Sequence, residues 1–533
     1  MVNFSGNRGG KPYTLPLWLS SVALFVFFIP LSLGYAEIPS TTQHARHAAL
    51  QQDFADPSEV TKACLSCHTE AAKQIHKTIH WTWIHPEDPE KKHGKGGISF
   101  NNFCIAIPTN EPRCTSCHIG YGWKDNTFDF TSEERVDCMV CHDRTGTYKK
   151  FPTSAGYPAK DTVIFEGNEF KAPDYKYITS SIGRPTRDNC GSCHFEGGGG
   201  DAVKHGDLDS SLRSASRELD VHLSVDGGNF TCQRCHSTNE HQIAGRAYFT
   251  PAFTERTELT TDDRATRIVC ESCHTATPHK GGHKANDHTD KVSCQACHIP
   301  SFARELPTKM SWDWSTAGKL KDGKAYVEKG DHGMTIYDSK KGDFVWEKNV
   351  QPVYKWYSGS MDHLLLTDTV DTTHPVEITR VVGDASDPNS RIMPFKAHTG
   401  KQPFDPVNKT FLVPHLFGKD DTAYWRNFDW DKALHSGQEA VGLPFSGEFV
   451  FVDTVYYYPT THMVAPKENS VGCESCHSRE SRLSGVEGVW IPGRDHNSLV
   501  DSLGWLMVFG TLGGVGIHGA MRWSTSRKKD RGN

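Results

Sequence analysis

The chain has 533 residues, 17 cysteines, 29 histidines and a formal charge of −6. Hydrophobic residues make up 36% of it. Even with the glycines added, the apolar share is at the low end of the roughly 45–50% of globular chains, so something besides side chains must help fill the interior. No long basic stripe appears, which excludes a nucleic-acid partner, and 11% aromatics without a low-complexity tract exclude disorder.

At the N-terminus, Arg8 and Lys11 precede an apolar run from about Leu17 to Leu33, then the small-x-small triplet Gly34-Tyr35-Ala36. Residues 1–36 read as an export signal cleaved before Glu37, with an uncleaved anchor as the alternative. Eight CxxCH motifs follow. Their thiols are Cys64 and Cys67, Cys114 and Cys117, Cys138 and Cys141, Cys190 and Cys193, Cys232 and Cys235, Cys270 and Cys273, Cys294 and Cys297, and Cys473 and Cys476. Their histidines are His68, His118, His142, His194, His236, His274, His298 and His477.

Two thiols three residues apart can form thioethers to one porphyrin, with the next histidine under the iron. Zinc ribbons do not need a histidine after each pair. Redox CxxC motifs normally occur once per domain, and a disulfide framework would not repeat one spacing eight times. The motifs therefore predict eight covalently bound haem c groups and a compartment outside the cytoplasm.

Motifs 1–7 fall within 37–298, a multihaem domain. Motifs 2 and 3, and 6 and 7, lie closest in sequence and are expected to pack as haem pairs. Connections this short leave room for helices and loops but no large sheet. The expected class is mainly α with long irregular loops and a few short hairpins, a multihaem cytochrome c scaffold with one C-terminal transmembrane helix. The interval Ile299–Gly472 lacks motifs but contains Trp312, Trp314, Trp346, Trp356, Trp425 and Trp430. With motif 8 it gives a segment, 299–497, read as a wrap that covers haems and supplies distal ligands.

The last segment, 498–533, holds an apolar stretch from Leu503 to Met521, long enough for a membrane helix. Arg522, Arg527, Lys528, Lys529 and Arg531 follow, so the positive-inside rule places a basic tail in the cytoplasm. The haem domain is then tethered on the periplasmic side of a bacterial inner membrane. Gly510, Gly514 and His518 share one helix face, where a partner helix could approach. His518 could ligate a haem b shared with a cytochrome b or quinol-oxidising subunit; an interfacial histidine is the plainer reading.

Electron-transfer haems need a second strong ligand. The candidate distal histidines are His76, His80, His222, His283, His288, His398, His435 and His462. The seventeenth cysteine, Cys104, precedes motif 2 and is an odd thiol in an exported chain. After motif 4, Gly197 to Gly200 would let backbone approach a flat, bulky group. Asp201 and Lys204 follow and could face one site. A lysine amine binds iron only when neutral, which requires a lowered pKa.

The eight regular motifs, the Asn101-Asn102-Phe103-Cys104 segment and the GGGGDxxK segment resemble the octahaem tetrathionate reductase family. The resemblance implies a mostly helical multihaem fold with bis-histidine haems, except at motif 2. There it implies Lys204 as distal ligand, with Cys104, Asn101 and Asp201 lining a catalytic pocket. The C-terminal helix departs from a soluble periplasmic member. No CxxCK motif links the chain to pentahaem nitrite reductases, no expanded C-x15-CH motif to octahaem sulfite reductases, and Tyr456-Tyr457-Tyr458 establishes no tyrosine–haem crosslink. The expected activity is reduction of tetrathionate, or of a related small inorganic anion, with electrons from the quinol pool. A non-catalytic electron conduit and a nitrite or hydroxylamine reductase are the rivals. Calcium is a candidate ion, although no loop specifies it.

Overall fold

The computed structural model describes residues 42–86, 88–246 and 268–529. The expected signal peptide, 1–36, and the tail beyond 529 lie outside the described residues. The first half, to about residue 300, matches expectation. It is short helical turns joined by irregular loops, with two small hairpins, Val163–Phe165 with Asn168–Phe170 and Thr238–Asn239 with Gln242–Ile243. Helix α1 (Pro57–Leu65) carries Cys64. Asp56 caps it, accepting from Ser58 N at 2.9 Å, and Pro57 fills the first turn, where no N–H is needed. Helix α2 (Arg187–His194) carries motif 4 behind a capping box of Thr186 and Asn189. Each CxxCH needs only one helical turn, because i and i+3 lie on the same face.

The second half corrects the expectation of no large sheet. A nine-stranded mixed sheet is built from β1 (Thr308–Asp313), β2 (Val327–Lys329), β3 (Thr335–Asp338), β4 (Gly342–Glu347), β5 (Val353–Tyr357), β6 (Val376–Glu377), β7 (Arg391–Asp405), β8 (Thr410–Phe411) and β9 (Val450–Pro459). The main order is β6-β9-β7-β1-β4-β3-β2, with β5 and β8 also paired to β7. The β6–β9 and β7–β1 pairs are parallel and the others antiparallel. The physical cause is composition. This interval is rich in Trp, Tyr, Phe, Val and Thr, the residues that fit a pleated half-buried surface.

Strand β7 is the axis of the sheet. Its residues Ile392, Pro394, Lys396, His398, Gly400, Gln402 and Phe404 are all buried, on one face at period two. Antiparallel β9 places Tyr458 opposite Lys396, Tyr456 opposite His398 and Thr454 opposite Gly400. The main core lies on this sheet and includes Trp312, Trp314, Phe344, Tyr456 and Tyr458 together with Phe100 and Phe103. The loop containing Cys104 is thus docked onto the sheet. Helix α3 (Trp430–Val441), capped by Asp429, covers another edge of this core.

Among the described residues, helix α4 (Ser498–Lys529) packs on nothing. Trp505, Phe509, Leu512 and Met521 are each more than 60% exposed. Its span Ser498–Arg527 is long and apolar enough to cross a membrane.

Candidate functional site

Six motif histidines face a second histidine ring. The pairs are His68 with His44, His194 with His80, His236 with His462, His274 with His222, His298 with His279, and His477 with His288. Their ring centroids are 6.1–6.3 Å apart. Two metal–imidazole bonds of about 2.0 Å, plus roughly 1.2 Å from each nitrogen to its ring centre, sum to about 6.4 Å. The rings therefore stand one iron atom apart, and the donor sets fit axial ligation.

The outer nitrogens agree. His142, His236 and His477 each place Nδ1 on a backbone carbonyl, of Gly183, Ala244 and Pro492, at 2.9–3.0 Å. His279 Nδ1 meets Asn286 Oδ1 at 3.1 Å and His288 Nδ1 meets Lys284 O at 3.0 Å. Such bonds fix the tautomer and leave Nε2 for metal. At motif 3, no histidine ring among the described residues faces His142. His241 lies within electrostatic reach of His142 and His68, with Nδ1 on Gln74 Oε1 at 2.8 Å.

Of the candidate distal histidines, His80, His222, His288 and His462 each face a motif histidine. The other four face none among the described residues, contrary to expectation. His76 stacks on Trp81 at 4.5 Å. His283 caps the turn at Ala285 and stacks on His279, and it is His279 that faces His298. His398 is locked into the sheet by Asn102. His435 is on exposed α3 against Phe445. His44, His241 and His279 were not among the candidates. The one sequence signal available was position, within a few tens of residues of a motif.

Neighbouring thiols give the order of the motifs in space. Cys64 meets Cys138, Cys117 meets Cys193, Cys190 meets Cys232 and Cys270 meets Cys294. Cys235 is an electrostatic neighbour of Cys273, and Cys297 of Cys473 and Cys476. The thiol contacts therefore join motif 1 to 3 and motif 2 to 4, rather than 2 to 3, while 6 and 7 meet as expected. A continuous path runs 8-7-6-5-4-2.

His118, of motif 2, stands apart. Among the described residues no histidine ring faces it. Trp81, Trp83, Trp123, Phe128 and Phe130 surround it, its Nε2 is 2.7 Å from Trp81 O, and its Nδ1 is buried without a partner. Burial lowers its pKa to about 3, so the ring is neutral; its orientation is the reverse of that of His142, His236 and His477, with Nε2 rather than Nδ1 on a backbone carbonyl. Lys150 Nζ holds the His118 carbonyl at 2.6 Å and pairs with Asp137 at 3.0 Å.

The Cys104 loop adjoins this motif, and the Lys204 loop packs on the Cys104 loop. A Cβ at Gly198 would lie 3.2 Å from Phe103 Cδ1, and Gly198 has φ +83. Only glycine allows both that backbone conformation and that approach. Lys204 Nζ lies 5.5 Å from the ring centre of Tyr458, and Tyr458 stacks on Phe103. Burial, with repulsion from Lys95, lowers the Lys204 ammonium to about 7, so a neutral amine is accessible. Cys104 is an electrostatic neighbour of Cys114, in motif 2. Burial pushes its thiol up, outweighing Lys341, Arg113, Lys309 and Lys95.

Asn101 and Asp201 shape their own loops. Asn101 Nδ2 donates to Ile105 O at 2.9 Å and its Oδ1 accepts from Phe103 N at 3.0 Å. Asp201 accepts from Ser210 N at 3.0 Å and from the Ser210 hydroxyl. Among the described residues no cluster of three or more His, Cys, Asp or Glu gathers to hold a free metal ion, so no calcium site is seen.

The model of the family described as "Cytochrome c bacterial" matches residues 309–480, and that described as "Cytochrome c554 and c-prime" matches residues 63–143. An octaheme cytochrome c from Shewanella oneidensis, known from its crystal structure, superposes with a TM-score of 0.73. It is 43% identical, over 84% of this chain and 97% of that one. The chain belongs to the octahaem c-type cytochromes. Covalent haem c and a redox role follow. No curated protein matches the chain.

Proposed function

We propose that this octahaem cytochrome is a membrane-tethered periplasmic reductase of small inorganic anions, with tetrathionate as the first substrate to test. The observation that carries the reading is His118. Among the described residues it is, with His142, one of two motif histidines that no histidine ring faces; Cys104 is an electrostatic neighbour of Cys114 in the same motif, and the Lys204 loop packs on the Cys104 loop through Gly198 and Phe103. We assign Lys204 as the second ligand at motif 2, and haem c to all eight motifs.

Haem c held at the eight motifs would supply single electrons, and the thiol contacts give the order of those motifs in space. Cys104 supplies the sulfur chemistry. Its thiol attacks the central S–S bond of tetrathionate, forming a Cys104–S–S–SO3⁻ adduct and releasing one thiosulfate and one proton. Two electrons and one proton then cleave the adduct, restoring the thiol and releasing the second thiosulfate. Overall, one tetrathionate and two electrons give two thiosulfates. The cations around Cys104, Lys95, Arg113 and Lys341, favour a dianionic substrate. Asn101 and Asp201 hold the loops rather than the substrate.

Electrons come in at motif 8. His477 is bonded through Nδ1 to Pro492 O, in the segment that leads directly into α4. A quinol-oxidising membrane subunit docked on α4 is the proposed donor, with His518 on the docking helix. The test is stopped-flow oxidation of fully reduced, dithionite-free protein. Tetrathionate should reoxidise the haems of the wild type, and Cys104→Ala should slow this at least about 100-fold while keeping its haem content. Reoxidation by nitrite or hydroxylamine alone would keep the catalytic centre and change the substrate. No reoxidation by any of the three would make the protein an electron conduit.

A further inference from the structure

The Lys204 loop has few bonds of its own that fix where its side chain points. Gly198, Gly199 and Ala202 have φ of +83, +97 and +59, and the loop forms only local turns. Three of its consecutive carbonyls are instead held from the sheet. Thr308, on β1, donates from Oγ1 to Ala202 O at 2.6 Å. Lys396, on β7, donates from Nζ to Val203 O at 3.0 Å and to Lys204 O at 3.1 Å. Its third bond, at 2.6 Å, reaches Thr308 Oγ1. The Lys396 nitrogen thus has three partners within hydrogen-bond distance, two of them adjacent carbonyls of the Lys204 loop.

Lys396 is 2% exposed. A buried lysine is costly, and a methionine of similar length would fill the same space without desolvating a charge. What methionine cannot do is fix two adjacent carbonyls. We propose that Lys396 is a positioning residue that sets the axial ligation at motif 2 by clamping the backbone of Lys204. The inference rests on the reading of Lys204 as an iron ligand. A second lysine, part-buried Lys150, holds the carbonyl of His118. Each proposed ligand at motif 2 is thus held at its own carbonyl by a lysine. The next even position of β7, His398, grips Asn102 in the Cys104 loop. One strand therefore registers both reactive loops.

The test uses the oxidised full-length holoprotein, with EPR and near-infrared magnetic circular dichroism, which separate histidine–amine from bis-histidine ligation. Lys396→Met should shift the equilibrium between ligated and released Lys204 about tenfold toward release, about 1.4 kcal/mol, read as a decrease of the histidine–amine signal relative to wild type. The bis-histidine signals should be unchanged, which a general loss of structure would not allow. A full histidine–amine signal in Lys396→Met, with the signal absent in Lys204→Ala, would overturn the positioning role and leave the ligand assignment intact. Spectra unchanged in Lys204→Ala would overturn the ligand assignment and the role of Lys396 with it. If Lys396→Met fails to assemble, Thr308→Val is read instead. It removes one bond to Lys396 and one to Ala202, so a partial loss of the signal supports the clamp and an undiminished signal refutes it.

Discussion

Asn102 is the point where the sheet takes hold of the Cys104 loop, and replacing it with alanine should free that loop. The residue is fully buried. Its Nδ2 lies 2.9 Å from His398 O and 2.8 Å from His398 Nδ1. Its Oδ1 accepts from Gln402 Nε2 at 2.5 Å and from Thr454 Oγ1 at 2.9 Å. A net value of about 1 kcal/mol per bond gives about 4 kcal/mol, and the stranded partners on β7 and β9 cannot reach water to recover it. The global unfolding of so large a haem protein is not a two-state quantity, so the assay should be local. Amide hydrogen exchange across residues 98–107 reports the opening of this loop. Asn102→Ala should accelerate exchange there by two to three orders of magnitude, about 3–4 kcal/mol, while the α1 region keeps its wild-type rate. Wild-type protection across 98–107 would refute the argument that the sheet holds the loop.

His279→Ala should open one haem to exogenous ligands and give a high-spin signal, whereas His283→Ala should leave the optical and EPR spectra unchanged; the reverse result would exchange their roles. The facing rings fall into two groups, near-parallel at motifs 1, 5 and 7 (25°, 20° and 11°) and crossed at motifs 4, 6 and 8 (67°, 65° and 71°). EPR of the oxidised protein should accordingly resolve rhombic and large-g-max low-spin signals in similar amounts, and one class alone would contradict these geometries. Asp88 is buried, and although burial alone would raise its pKa, hydrogen bonds from His93, Glu90 and Lys92 bring it down to about 2. A lowered carboxylate stabilises the fold above its unfolded pKa of about 4, and the effect is lost as pH falls through about 2. Asp88→Asn should therefore lower the thermal midpoint at pH 7, with the difference from wild type shrinking between pH 4 and pH 2; a constant difference would show that the charge is not responsible.

The covalent haem motifs were legible because their chemistry is local, five residues within one helical turn. Cys104 and Lys204 were legible through resemblance, and the contact of Phe103 with Gly198 explains why the glycines precede Lys204. The distal histidines were only half legible. A ligand pair such as His236 with His462 is made by the tertiary fold, and nothing local separates His279 from His283 four residues later. The sheet was missed for a different reason. Close motif spacing in the first half was extended to a second half whose Val450-Phe451-Val452-Asp453-Thr454-Val455-Tyr456 run already carries strand-forming residues. Asn101 and Asp201 looked like substrate contacts because they flank the reactive residues. In the folded chain their side chains are taken up by Phe103, Ile105 and Ser210.

The most direct test of the central claim is the ligation of the haem at motif 2. Near-infrared magnetic circular dichroism of the oxidised holoprotein should show one histidine–amine haem beside the bis-histidine set, and Lys204→Ala should remove that signal alone. A spectrum containing only bis-histidine ligation, unchanged by Lys204→Ala, would contradict the account.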